Sequence, residues 1–199
     1  MEALKVIIIG GTSHAGKSTL AQLLNNSLGW DYIATDYLAR HPGRPWKTAQ
    51  NPVPSHVSDH YRSLSADALV ADVLRHYQTV WPTVSELVHQ YAASSTAHLI
   101  LEGSAAWPEW AAPLESDGVA SVWLTASPAF LQQRIEEESR YVEATASEKE
   151  LIEKFKERTL RYNQKMMEVV NRLGLASIDV EKVSTADALS AECLRLLSR

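Results

Sequence analysis

A single cysteine, Cys193, is all that this 199-residue chain contains, so no internal disulfide can form and no zinc cluster of cysteines can assemble. A reducing cytoplasm is the compartment that suits such a chain. Long apolar runs are also missing. The first, Val6-Ile7-Ile8-Ile9, is far too short to cross a bilayer, and the acidic Glu2 ahead of it does not suit a signal peptide, so the expectation is a soluble protein with no membrane contact. Positive charge is in deficit, with 19 Lys and Arg against 24 Asp and Glu, a net charge of -5. Binding to a nucleic-acid backbone rests on Lys and Arg neutralising phosphates, so this balance argues against that partner. Internal repeats and low-complexity tracts are absent. Hydrophobic residues at 45 % and charged residues at 22 % are ordinary for a globular chain, and the length suits one domain, residues 1–199, with a full hydrophobic core.

The apolar run from Lys5 to Ile9 is continuous and β-branched, as expected of a strand buried on both faces of a parallel sheet. Behind it stands GGTSHAGKST, Gly10 to Thr19. Leu20, Leu23, Leu24 and Leu28 then recur at helical spacing and Gly29 is placed to end the helix. Further buried strands are predicted at Tyr32 to Thr35, His98 to Leu101, Val119 to Thr125 and Ala176 to Val180, with helical patterns between them and a last helix from about Thr185 to Leu197. Such alternation predicts an α/β domain with a mostly parallel sheet. Two stretches break the rhythm. His41 to His60 holds four prolines and reads as a long surface loop, whereas Glu136 to Lys156 is rich in Glu and Lys and reads as a solvated helical face.

Gly11, Gly16, Lys17 and Ser18 satisfy G-x-x-x-x-G-K-[ST] between a predicted strand and a predicted helix, the context that gives this motif its meaning. Glycine is needed where the backbone approaches phosphate oxygens, and consecutive N–H groups of the turn form an anion nest. The nest comprises Gly11, Thr12, Ser13, His14, Ala15, Gly16, Lys17, Ser18 and Thr19, with the N-terminus of the next helix adding unsatisfied donors. Lys17 would reach the β- and γ-phosphates and the Ser18 hydroxyl would ligate Mg²⁺. His14 is the odd side chain in this loop, expected to point to solvent or else to meet a phosphate or the acceptor.

Elements that would mark other users of such a cradle are missing. There is no N-K-x-D to select guanine and no D-x-x-G to sense a γ-phosphate at a suitable place, which argues against a guanine-nucleotide switch. Motor ATPases usually carry a carboxylate pair at the end of the strand beside the cradle, whereas here the strand ends Leu101-Glu102-Gly103 with a single acid.

The order GGTSHAGKSTLAQLL, IATDYLAR, HLILEGSA and VWLTASPAFLQQRI resembles that of P-loop kinases of the adenylate kinase, gluconate/shikimate kinase and polynucleotide kinase group. TDYLARHPGRPW is also similar to bacterial kinase-like proteins, some labelled 2-phosphoglycerate kinase. The resemblance implies a P-loop three-layer α/β sandwich with a five-stranded parallel sheet in the order 2-3-1-4-5 and a helical lid. It further implies ATP and Mg²⁺ as cofactors and a small-molecule acceptor for the γ-phosphoryl.

Asp36 falls at the carboxyl end of the second predicted strand, the edge that faces the ligand crevice in an open α/β sheet. In the resembled families an Asp at this place either accepts the proton of the attacking hydroxyl or holds Mg²⁺ through water. Arg40, four residues on, resembles the arginine that holds the acceptor, and Arg44 is a second acceptor-side candidate because a guanidinium binds carboxylate or phosphate bidentately. Residues 41–60 are therefore expected on the acceptor side, and the acceptor is expected to be anionic. Glu102 would orient the Mg²⁺ shell or bind an acceptor hydroxyl, with Gly103 letting the acceptor come close.

Transfer leaves negative charge on the phosphoryl oxygens, so kinases bring cations over the site and exclude water. Arg134 and Arg140 resemble the paired arginines at the entry of a short kinase lid, here residues 134–157. Phe155-Lys156-Glu157-Arg158-Thr159-Leu160-Arg161-Tyr162 is similar to the adenylate kinase-like helix whose arginine, four residues before a tyrosine, grips the phosphoryl groups. That assigns Arg158 the role, with Arg161 as its understudy. Two other functions stay open: a nucleotide-dependent, toxin-like regulator acting on a protein partner, and a 5'-hydroxyl nucleic-acid kinase. Nothing in the spacing sets an oligomeric state.

Overall fold

The structure is a computed structural model that describes residues 4–38, 43–47, 52–116 and 118–197. Strand β1 (Val6–Gly11) runs into the turn that precedes α1 (Lys17–Leu28), and β2 (Asp31–Ala34) ends in a 3-10 turn, Thr35–Tyr37. Helices α2 (Ser55–Ser63) and α3 (Ala66–Ala92) lead to β3 (Leu99–Glu102), the short α4 (Pro108–Ala111) and β4 (Val119–Thr125). Then come α5 (Pro128–Ser139), α6 (Ala146–Leu173), β5 (Ser177–Asp179) and α7 (Ala186–Leu197). All strand pairs are parallel and the order is β2-β3-β1-β4-β5, the P-loop NTPase arrangement that the family resemblance implies. Strand boundaries fall within two residues of the predicted ones, and β1 extends through both glycines of the cradle's first turn.

Every residue of β1 is buried because the sheet is covered on both faces. Ile7 and Ile9 pack with Leu20 and Leu24 of α1 and with Leu189 and Cys193 of α7. Val6 and Ile8 point the other way, onto Val80, Val84 and Val88 of α3. Each such side chain contributes about 1.5–3 kcal/mol when fully buried. Helix ends follow local chemistry. Ser127 caps α5 by accepting from the Phe130 N–H at 3.2 Å, with Pro128 in the first turn. Thr145 and Glu148 form a reciprocal capping box at the start of α6, and Gly174 ends that helix at φ 65.

Two expectations are corrected. Part of the supposed surface loop is helix α2, and Trp46 and Val57 within it are buried. They pack with Tyr61, Leu69, Ile135, Leu151, Ile152 and Phe155 in a separate hydrophobic cluster. The same cluster overturns the solvated face: Leu151, Ile152 and Phe155 project inward at helical spacing from a stretch whose Glu and Lys residues mask them in sequence. Lys156 is also buried, its ammonium 2.6 Å from Glu136 and 2.8 Å from Glu153. No helix among the described residues is long and apolar enough to cross a membrane.

Candidate active site

The carboxyl ends of β1, β2 and β3 open into a cavity of about 670 Å³. Its floor is the turn between β1 and α1. Gly11, His14 and Gly16 all take positive φ there, at 144°, 68° and 92°. Glycine does this freely, whereas a residue with a Cβ gives up roughly 1–2 kcal/mol. A Cβ on Gly11 would also lie 2.8 Å from the Leu124 carbonyl of β4. Ser13, His14, Gly16, Lys17, Ser18 and Thr19 line the cavity. Thr12 and Ala15 are buried behind them; the Thr12 hydroxyl donates to the Thr159 carbonyl of α6 at 3.2 Å, tying the turn to that helix.

The Lys17 ammonium is folded back on the turn and donates to the Thr12 carbonyl at 2.8 Å. Burial pushes its pKa down, while Glu102 and Asp36 oppose the shift and Arg44 adds to it. An anion in the turn would relieve the same penalty. Glu102, at the end of β3, is only 4 % exposed. Its Oε1 accepts from Ser18 Oγ at 2.9 Å and from Tyr32 Oη at 3.0 Å. Burial, and then the Glu102 charge, push the Tyr32 phenol upward, so it stays a donor.

This donor set fits Mg²⁺. Among the described residues no three His, Cys, Asp or Glu side chains form a metal cage. A hydroxyl and one buried carboxylate beside a phosphate cradle suit an ion that keeps several waters and takes other oxygens from phosphate.

Asp36 is exposed, sits in the 3-10 turn after β2 and faces the same cavity. Arg44 and Glu138 line it as well and are bonded to each other. Arg134 lines it with its guanidinium 5.5 Å from the Phe130 ring. Arg158 is 7 % exposed. Its Nη1 donates to Tyr61 Oη at 2.8 Å, and its guanidinium lies 4.7 Å from the Phe155 ring centre. Tyr61 Oη in turn donates to the Gly43 carbonyl at 2.8 Å, joining the arginine to the segment that carries Arg44.

Most of the expected residues thus converge, but not all. Arg140 lines a second cavity of about 380 Å³ with Trp46 and Lys47, because its left-handed backbone at φ 52 ends α5 and turns it away. Arg161 points outward to Asp67 of α3 at 3.0 Å, which leaves Arg158 as the arginine of α6 in the cavity. Arg40 lies outside the described residues, as do positions 41–42 and 48–51 of the expected acceptor-side stretch. Gly103 does not make room for an acceptor: a Cβ there would meet Thr35 Oγ1 at 1.8 Å, so the glycine serves close packing of β3 against the turn after β2. His14 does not point to solvent. Its side chain is 3 % exposed and packs beside the edge-to-face pair of Trp46 and Phe155 rings.

Sequence reasoning missed Tyr61, Tyr77, Ser104 and Glu138. Tyr77 of α3 lines the cavity, and burial pushes its pKa up to about 12. Ser104, two residues after Glu102, donates to the Gly11 carbonyl at 3.0 Å and was findable from its place at a strand end. Tyr61 had no local signal, since its partner is 97 residues away.

Fold and cradle together define a protein with the P-loop NTPase fold. Residues 7–156 match the AAA_18 family, an AAA domain, and the chain belongs to that family. No curated protein matches the chain in sequence. Among solved structures, a gluconokinase from Sinorhizobium meliloti 1021 is similar at 18 % identity and TM-score 0.53, over 98 % of this chain and 92 % of its own. A sugar kinase from Janibacter sp. HTCC2649 is similar at 13 % identity and TM-score 0.57, over 98 % and 95 %. A shikimate kinase from Bacteroides thetaiotaomicron is similar at 15 % identity and TM-score 0.51, over 98 % and 96 %. At these identities the likeness is one of fold.

Proposed function

We propose that the protein is an ATP- and Mg²⁺-dependent small-molecule kinase, a phosphotransferase that moves the γ-phosphoryl of ATP onto a small anionic acceptor. What carries this reading is one cavity that joins a phosphate cradle containing Lys17 to an exposed strand-end acid, Asp36, with Arg44, Arg134 and Arg158 around it. The amides from Gly11 to Thr19 hold the phosphates and the start of α1 adds its dipole. Ser18 and Glu102 would hold the metal ion, with Asp36 close by. Bound there, Mg²⁺ supplies charge neutralisation on the phosphate oxygens.

An acceptor oxygen, steered by Asp36, attacks the γ-phosphorus as the bond to the ADP oxygen breaks, and the hydroxyl proton passes to the Asp36 carboxylate. Lys17 and Arg158 stabilise charge on the transferring group, and Arg134 approaches from the nucleotide side. Arg44 holds an anionic group of the acceptor. The apolar cluster around Phe155 and Trp46, to which residues 134–157 contribute, excludes water from the phosphoryl group. Solved structures similar in fold include a gluconokinase and a shikimate kinase, whose names fit an anionic hydroxylated acceptor.

The test is to incubate purified protein with labelled ATP, Mg²⁺ and pooled small metabolites and to identify the labelled product by mass. A phosphorylated small molecule is expected. Release of inorganic phosphate alone, or transfer only when a macromolecule is added, contradicts the reading.

A further inference from the structure

His14 has features that phosphate binding through backbone amides does not require. A residue with a Cβ is held in the left-handed region at φ 68, and its side chain is turned into the molecule. Backbone outliers of this kind persist where packing over-determines them, and they cluster at ligand sites. Here Trp46 and Phe155 hold the ring, at centroid distances of 6.0 and 5.8 Å. The imidazole lines the main cavity, yet among the described residues neither Nδ1 nor Nε2 has a hydrogen bond of proper geometry. Leaving a buried donor and acceptor in that state is unfavourable.

Glu138 is the near neighbour. Its Oε2 lies 2.9 Å from His14 Nε2, out of line for a good bond, while its Oε1 is bonded to Arg44. Burial first, then the charges of Arg44, Lys17, Arg134 and Arg158, hold the His14 pKa down at about 3. The ring is therefore neutral, with one N–H to give.

We infer that His14 reads the terminal phosphoryl of a bound nucleoside triphosphate: its ring N–H donates to that group in preference to the poorly aligned Glu138 carboxylate. The inference rests on the kinase reading above and names a role within it. A dianionic phosphoryl beside Lys17 and Arg158 is a stronger acceptor than a half-exposed carboxylate. A diphosphate lacks that group and leaves the Glu138 contacts in place. The cradle thus distinguishes a triphosphate from a diphosphate through a side chain as well as through its amides.

The experiment measures equilibrium affinities for ADP and for a non-hydrolysable ATP analogue in the wild type, His14→Gly, His14→Asn and Glu138→Gln. Both His14 variants should lose roughly tenfold in affinity for the triphosphate while ADP affinity stays within about twofold. Glu138→Gln should favour the triphosphate further. His14→Gly relaxes the backbone, so a selective loss in that variant reports the missing side chain and not a damaged turn. Equal weakening of both nucleotides, or no change in either, overturns the role given to His14 while nucleotide binding stands. A wild type that binds neither nucleotide contradicts the kinase reading itself, and this inference with it.

Discussion

The two halves of the cavity are built on different terms. The cradle is one contiguous stretch, Gly10 to Thr19, whose shape follows from positive φ at three positions and from the start of a helix. The opposite wall is assembled from pieces far apart in the chain: Asp36 after β2, Gly43 to Trp46, Tyr61 of α2, Tyr77 of α3 and Phe155 to Arg158 of α6. A phosphate nest needs adjacent amides, so its chemistry forces adjacency in sequence. An acceptor wall needs side chains aimed at one point, which any set of elements can supply once tertiary packing brings them together. Damage to the cradle should therefore appear in nucleotide binding. Damage to the wall should appear in transfer and in acceptor affinity.

The sharpest separation of the halves comes from Asp36→Asn. Transfer should fall by about 10²–10⁴-fold while ATP affinity changes by less than about threefold; steady-state rates and nucleotide titration measure the two effects. Phe155→Ala tests whether the wall is a packed unit. Phe155 is fully buried against Trp46 at a centroid distance of 4.8 Å, so its loss should lower unfolding free energy by about 3–5 kcal/mol in denaturant titration. ADP affinity of the folded variant should remain within about threefold, since diphosphate binding rests on the cradle's backbone amides even though the His14 ring loses its contact with Phe155.

Arg158→Lys keeps the charge but removes the planar fork that bonds Tyr61, and kcat should fall by about 10²-fold with little change in nucleotide affinity. The smallest effect is one of pH. His14 has a folded pKa of about 3 against an ordinary 6.5, so between these values the unfolded chain binds the proton that the folded one refuses. Its contribution to stability is fully present above about 6.5 and is lost as pH falls. Thermal midpoints from pH 7 to 5 should drop less steeply in His14→Asn than in the wild type.

The same contrast decides what could be read from the sequence. The strand before the cradle, the motif and the stop at Gly29 are local signals, and the structure keeps each of them. Strand order needed a resemblance, because β1 carries no mark of which neighbours it will pair with. Trp46 was hidden in a proline-rich stretch whose composition resembles a surface loop, yet its ring fills a cluster that only the packing of α2, α5 and α6 creates. Ile152 and Phe155 were hidden among Glu and Lys residues that face the other way on the same helix. His14 was legible as an odd residue in the cradle but not as a buried one, since the rings it packs against stand 32 and 141 positions away. Gly103 was legible as a required glycine, but the reason for it was not: Thr35 is the close neighbour, and no spacing rule pairs the two.

Phosphorus NMR of the wild type and Asp36→Asn, each mixed with ATP, Mg²⁺ and a panel of small hydroxylated acids and sugars, measures binding and transfer in one sample. The wild type should lose the γ resonance of ATP to a new phosphate ester, and the variant should keep bound ATP without forming that ester. Equal turnover by both proteins, or a wild type whose γ-phosphate goes only to water, would contradict a site in which the cradle holds the triphosphate for an acceptor steered by Asp36.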